Sequence, residues 1–203
     1  MTISEPMTLA TDYALAAVSA WLGVLLFRSR ACQRSRAFWT LAFAALAAGA
    51  FLGGTWHGIV QSDPLWKATV LSVGVASFAM LAGSAYATLS GAARRLVLGF
   101  ALGKLAIYAA WMLGRDEFIF VVIDSGVAFA AVAALHLWRF DPWIVAGLAV
   151  SVAGALAQAL GLAPHPHFNH NDLYHVIQIA AMFLLYRGAR GLTDHDPQRR
   201  HAS

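Results

Sequence analysis

Residues 37–60, AFWTLAFAALAAGAFLGGTWHGIV, run for 24 positions without one Asp, Glu, Lys or Arg. A bilayer hydrocarbon core of roughly 30 Å is crossed by about 20 apolar residues of helix, so this stretch is long enough to span it. Outward from it the pattern recurs, in apolar runs at Leu9–Phe27, Ala37–Val60, Leu65–Leu89, Leu96–Leu113, Phe118–Trp138, Trp143–Leu162 and Leu173–Tyr186, the last being the shortest. The spacing predicts an all-α integral membrane protein of seven transmembrane helices. Residues 1–192 form one transmembrane domain, and 193–203 a polar cytoplasmic tail, solvated and mobile. The composition agrees, because 60% hydrophobic and 12% charged residues leave too little polar surface to cover a water-soluble domain of 203 residues.

The breaks between runs alternate in charge. Arg28, Arg30, Arg34 and Arg36 follow the first run, Arg94 and Arg95 the third, Arg139 the fifth, and Arg187, Arg190, Arg199 and Arg200 the seventh. The breaks after the second, fourth and sixth carry Asp63, the mixed Arg115-Asp116-Glu117 and a histidine-rich loop. Basic loops stay on the cytoplasmic side, which predicts an N-terminus outside and a C-terminus inside, in a bacterial inner (plasma) membrane. In such a chain the net charge of +4 reports orientation, and nucleic acid is not an expected partner. Trp39, Trp56, Trp66, Trp111, Trp138 and Trp143 fall at predicted helix ends, where indoles prefer the interface. Gly49/Gly53 and Gly99/Gly103 have small-xxx-small spacing, so both pairs are expected to be packing faces. The single cysteine, Cys32, excludes an intramolecular disulfide and a cysteine metal site.

Four of the eight histidines lie in His165-Pro166-His167-Phe168-Asn169-His170-Asn171-Asp172-Leu173-Tyr174-His175, where polar chemistry meets the last apolar run. Helix two ends at His57 and helix seven begins near His175. Opposite helix directions therefore bring both to the outer boundary, together with Asp63, His165, His167 and His170. Such a set is able to ligate zinc or another transition metal with an open position for water. Asn171, His175 and Gln178 are spaced to share a helix face, which makes Gln178 a partner behind His175. Plainer readings stand beside this. Asn171 or Asp172 is an ordinary helix cap, the loop histidines are solvated, and His57 and His175 bond headgroups or each other. His136 and His201 read as inner-face surface residues. Lys104 and Asp124 lie at comparable depth in helices four and five. The expectation is a buried ion pair, and the alternative is that Asp124 faces the outer cavity and transfers protons.

Seven helices with the N-terminus outside, a His closing helix two, an Asp at the following turn and a His-containing motif opening helix seven resemble the membrane hydrolase superfamily of alkaline ceramidases and progestin and adiponectin receptors. The resemblance covers the whole chain in layout and few residues in detail. It implies zinc as cofactor. His57 matches the helix-two ligand and His175 the second helix-seven ligand, with His170 standing in for the first because Asn171 occupies the position four before His175. Gly53 occupies a position where the superfamily has Ser, with Thr55 the nearest hydroxyl, and Asp63 lies closer to His57 than the superfamily Asp. The implied activity is zinc-dependent hydrolysis of a membrane lipid amide or ester. Asp63 is the general base or orienter, and Thr55 or Tyr174 stabilises the oxyanion. Membrane lipid and a lipid-like substrate are the expected partners, with homo-oligomerisation open. A non-catalytic receptor, carrier or assembly partner with pH-sensing outer histidines is the alternative. A haem held by His57 and His175 is the third reading.

Overall fold

The computed structural model describes residues 3–139 and 141–195. They form seven α-helices: α1 Pro6–Arg28, α2 Arg34–Gly58, α3 Asp63–Thr88, α4 Gly91–Leu113, α5 Ile119–Trp138, α6 Pro142–Ala159 and α7 His170–Gly191. Pro6, Pro64 and Pro142 sit in first turns, where a missing N–H costs nothing and the fixed φ suits a helix start. Between α6 and α7, Gly161 adopts φ +66, the left-handed conformation that ends a helix cheaply only in glycine.

Six helices, α1 to α6, are long and apolar enough to cross a membrane by length and composition. The seventh, expected from the run Leu173–Tyr186, starts earlier and carries too many polar residues to meet that standard by itself. Its polar side chains Asp172, His175 and Gln178 are buried, so they face the bundle and not its surroundings. The helices close into a ring in the order α1, α2, α3, α5, α6, α7 and back to α1, with α4 outside it on α3. A shared apolar core includes Leu22, Trp39, Phe43, Met80, Ile144 and Leu185. Outward faces keep large apolar residues exposed, as at Leu96, Ile107 and Trp138, which suits a lipid environment.

The α6–α7 pair approaches closely because glycine permits it. A Cβ on Gly147 would lie 2.6 Å from Leu185 Cγ, and one on Gly188 2.7 Å from Ile144 Cδ1, so α6 and α7 fit each other reciprocally. Of the two predicted small-residue faces, Gly49/Gly53 packs on α3, with Cβ positions 3.5 Å from Ser72 and 3.4 Å from Thr69. Gly99 and Gly103 have nothing within 4 Å, because α4 turns that side out of the ring.

Other expectations change. Trp39 is 1% exposed and serves the core, not an interface. His136, expected on the surface, is 1% exposed. His201 lies outside the described residues, as do 196–203 of the tail. Its first residues are tied down: Asp194 Oδ2 and Oδ1 accept from the N–H groups of Arg34 and Ser35 at 3.0 and 2.8 Å. Those donors open α2, whose N-cap Gln33 supplies no side-chain cap, so a carboxylate from beyond α7 completes the helix start.

Lys104 and Asp124 form the expected ion pair, Nζ to Oδ1 2.5 Å, with side chains 9% and 4% exposed. Asp124→Ala leaves a buried ammonium unpaired and should lower the unfolding free energy in detergent by about 3–5 kcal/mol. Lys104→Met combined with Asp124→Leu should recover most of that loss.

Candidate functional site

α1, α2 and α7 meet at the end of the bundle opposite the arginine-rich turns. Asp12 lies roughly two turns into α1 and is 5% exposed, facing His175 of α7 at 7%. His175 Nε2 is 3.1 Å from Asp12 Oδ1. On the other side of the ring, Nδ1 is 3.0 Å from the Thr11 hydroxyl. Thr11 Oγ1 also lies 3.1 Å from the carbonyls of Met7 and Thr8. One hydroxyl proton thus has three acceptors at nearly equal distance.

A second carboxylate stands beside this pair. Asn169 and Asp172 form a capping box at the start of α7, so the cap is Asn169, two or three residues before the expected Asn171 or Asp172. Asp172 Oδ2 accepts from the Asn169 N–H at 2.7 Å, and Oδ1 accepts from the Thr8 hydroxyl at 2.9 Å. Asp172 therefore caps its own helix and ties it to α1. On α2, a Cβ at Gly54 would meet Asp12 Cβ at 2.8 Å. Glycine here lets α2 seal the carboxylate.

His57 lies at the end of α2, Nδ1 3.5 Å from Glu5 Oε2. Asp12 interacts electrostatically with Asp172 and Glu5, and His175 with His57. Five ionisable groups from three helix ends and the N-terminal segment therefore share one region. Among the described residues, Asp12 Oδ2 and His57 Nδ1 are buried without a hydrogen-bond partner. The chain belongs to a family of unknown function (DUF6962). The match covers residues 7–194, which takes in Asp12, His57, Asp172 and His175. No curated protein and no solved structure matches the chain.

The expected residues divide in position. His57 and His175 are in this region. His170 is the first residue of α7, and both ring nitrogens of His175 already face protein groups. Among the described residues, no three His, Cys, Asp or Glu side chains are grouped so as to hold a metal ion. Asp63 is exposed at the start of α3, 3.9 Å from Lys67. Thr55 donates to the Phe51 carbonyl at 2.8 Å and meets Tyr13 Oη at 3.0 Å. Tyr174 stacks edge-on against His175, centroids 5.4 Å apart. His165 and His167 are exposed in the loop. Gln178 does not back His175; it bonds Ser151 of α6 through both side-chain atoms, at 3.0 and 3.1 Å.

Sequence reasoning passed over Thr8, Thr11 and Asp12. The signal was there: a carboxylate inside an apolar run is costly and needs a partner, and Thr8 lies one helical turn before it. Asn169→Ala should remove the capping box and lower stability by about 0.5–2 kcal/mol, measured by thermal or denaturant unfolding.

Proposed function

We propose that this is a seven-helix membrane protein, with its N-terminus outside, that acts as a non-catalytic proton-linked receptor or carrier through Asp12 and His175. The carrying observation is the Asp12–His175 pair, 3.1 Å apart and buried between α1 and α7. Intramembrane ionisable groups mark proton or ion pathways more often than structure alone requires. The Thr11 hydroxyl supports the reading. When Nδ1 is bare, Thr11 can donate to it; when the imidazole is doubly protonated, Thr11 can accept and turn its own proton to the Met7 or Thr8 carbonyl. Both protonation states keep their hydrogen bonds, so a proton can come and go without unfolding the helix contact.

A reversible pH jump on protein in detergent, read with a soluble pH indicator, tests this. The expected result is about one proton more per chain taken up by wild type than by His175→Gln, the chain's other histidines contributing equally to both, with the difference assigned to His175 by its 15N resonances. His175→Gln and Asp12→Asn should each remove that uptake, and Thr11→Val should displace its midpoint. A wild-type His175 signal that never changes across pH 4–9 would sink the proposal.

The second reading is the zinc-dependent hydrolase of a lipid amide or ester suggested by the ceramidase-like layout. His57 and His175, matched to two of its ligands, lie in one region of the bundle, and among the described residues Asp12 Oδ2 and His57 Nδ1 there are buried without a hydrogen-bond partner. About one zinc per chain, lost in His175→Ala, is the result this reading requires.

A further inference from the structure

α4 and α5 are clasped toward one end of the bundle and parted toward the other. Lys104 Nζ holds Asp124 Oδ1 at 2.5 Å, and Trp111 meets Phe120 edge-on with centroids 5.6 Å apart. Both contacts lie away from the arginine-rich turns. Toward those turns the two helices and α3 enclose a cleft of about 340 Å³, lined by Leu81, Val97, Phe100, Ala131, Leu135 and Trp138. Thr88 also lines it, but its hydroxyl donates to the Ser84 carbonyl at 2.8 Å. The cleft therefore makes no polar demand on what fills it. Leu81 to Thr88 and Ala131 to Trp138 each cover seven helical steps, about 10 Å of rise, against roughly 15 Å for one leaflet's half of the hydrocarbon core. Trp138, 82% exposed, marks the mouth at the depth where indoles meet headgroups.

The mouth is cationic. Arg94 stands in the first turns of α4 and Arg139 caps the end of α5. Arg94 Nε donates to the Leu89 carbonyl at 2.9 Å and Nη2 to the His195 carbonyl at 2.8 Å, and Leu89 is itself a cleft residue, so this guanidinium is fixed beside the opening. Among the described residues, neither arginine pairs with a carboxylate. Asp141, which shares a smaller adjoining cavity with Arg139, faces His136 Nδ1 at 3.4 Å and the Trp143 N–H at 3.2 Å. An apolar slot one leaflet deep with cations at its mouth suits an amphipathic anion. We propose that the cleft binds one acyl chain of an anionic phospholipid, with its phosphate held at the mouth by Arg94 and Arg139. Guanidinium matches phosphate in shape as well as charge, and basic pockets between membrane helices recognise acidic headgroups in this way. The inference rests on the chain spanning a membrane, and not on proton exchange at Asp12 and His175.

Native mass spectrometry of the full chain, freed of lipid in detergent and titrated with phosphatidylglycerol or phosphatidylcholine of identical acyl chains, tests this. One phosphatidylglycerol should bind, about fivefold or more tightly than phosphatidylcholine. Arg139→Gln should weaken phosphatidylglycerol about fivefold and leave phosphatidylcholine little changed. Ala134→Phe, which adds a ring inside the cleft at an exposed position, should weaken both. Arg30→Gln, in the turn between α1 and α2, removes the same charge elsewhere and should change neither. Phosphatidylglycerol with a photoreactive acyl chain should label residues 97–100 and 131–138. Equal affinity for the two lipids, equal phosphatidylglycerol binding by wild type and either cleft variant, or label as heavy on α1 and α6 as on the cleft overturns the proposal. Wild type should stay in membranes washed with alkaline carbonate. Its release there overturns the membrane reading and the proposal together, whereas a failed lipid test with the protein retained overturns the proposal alone.

Discussion

The structure depends on finding partners for the polar face of α7. Asp172, His175 and Gln178 recur at i, i+3 and i+6 and are all buried, so each demands a hydrogen-bonding neighbour where water is scarce. Thr8, Thr11 and Asp12 of α1 supply them on one side, and Ser151 of α6 on the other. A shift of α7 by one residue would rotate this face by about 100° and separate every pair. The polar contacts thus set the rotation and height at which the ring closes, while apolar packing supplies most of the contact area. The far end is fixed by the same means, since Asp194 beyond α7 caps the start of α2.

Close approach makes those contacts possible. Gly54 allows α2 to lie against Asp12, and a side chain there would push α2 outward and open the carboxylate to its surroundings. Gly147 and Gly188 do the same for α6 and α7. The burial of Asp12 and His175 therefore follows from residues that carry no chemistry of their own. Steric permission at one position becomes an electrostatic environment at another.

The apolar runs made the helices legible because hydropathy is local, and six of the seven are apolar enough to read this way. α7 was harder, because its polar residues lower its hydropathy although they point inward. The meeting of His57 and His175 at one end follows from counting helix directions alone. The contacts of Asp12 did not follow, since choosing α1 as the neighbour of α7 requires the ring order, which no local pattern encodes. Equal glycine spacing likewise gave opposite outcomes: Gly49/Gly53 faces α3, while Gly99/Gly103 lies on a helix outside the ring. His136 looked like a surface residue because it ends a helix, yet Asp141 and the end of α7 enclose it.

The two ends of the bundle each hold a histidine between a hydroxyl and an aspartate, and the wiring of the hydroxyl separates them. Thr11 Oγ1 has acceptors at 3.0, 3.1 and 3.1 Å, so its proton has no strong preference and each protonation state of His175 keeps a hydrogen bond. Ser84 Oγ has the Met80 carbonyl at 2.7 Å and His136 Nε2 at 3.0 Å, which favours the backbone for its proton and leaves His136 Nδ1 facing the Asp141 carboxylate at 3.4 Å. A shared hydroxyl gives a site that tolerates protonation. A committed one gives a histidine held between a hydroxyl and its carboxylate. The same three residue classes are therefore wired differently at opposite ends of one membrane-class bundle, by a few tenths of an ångström in where a helical carbonyl lies.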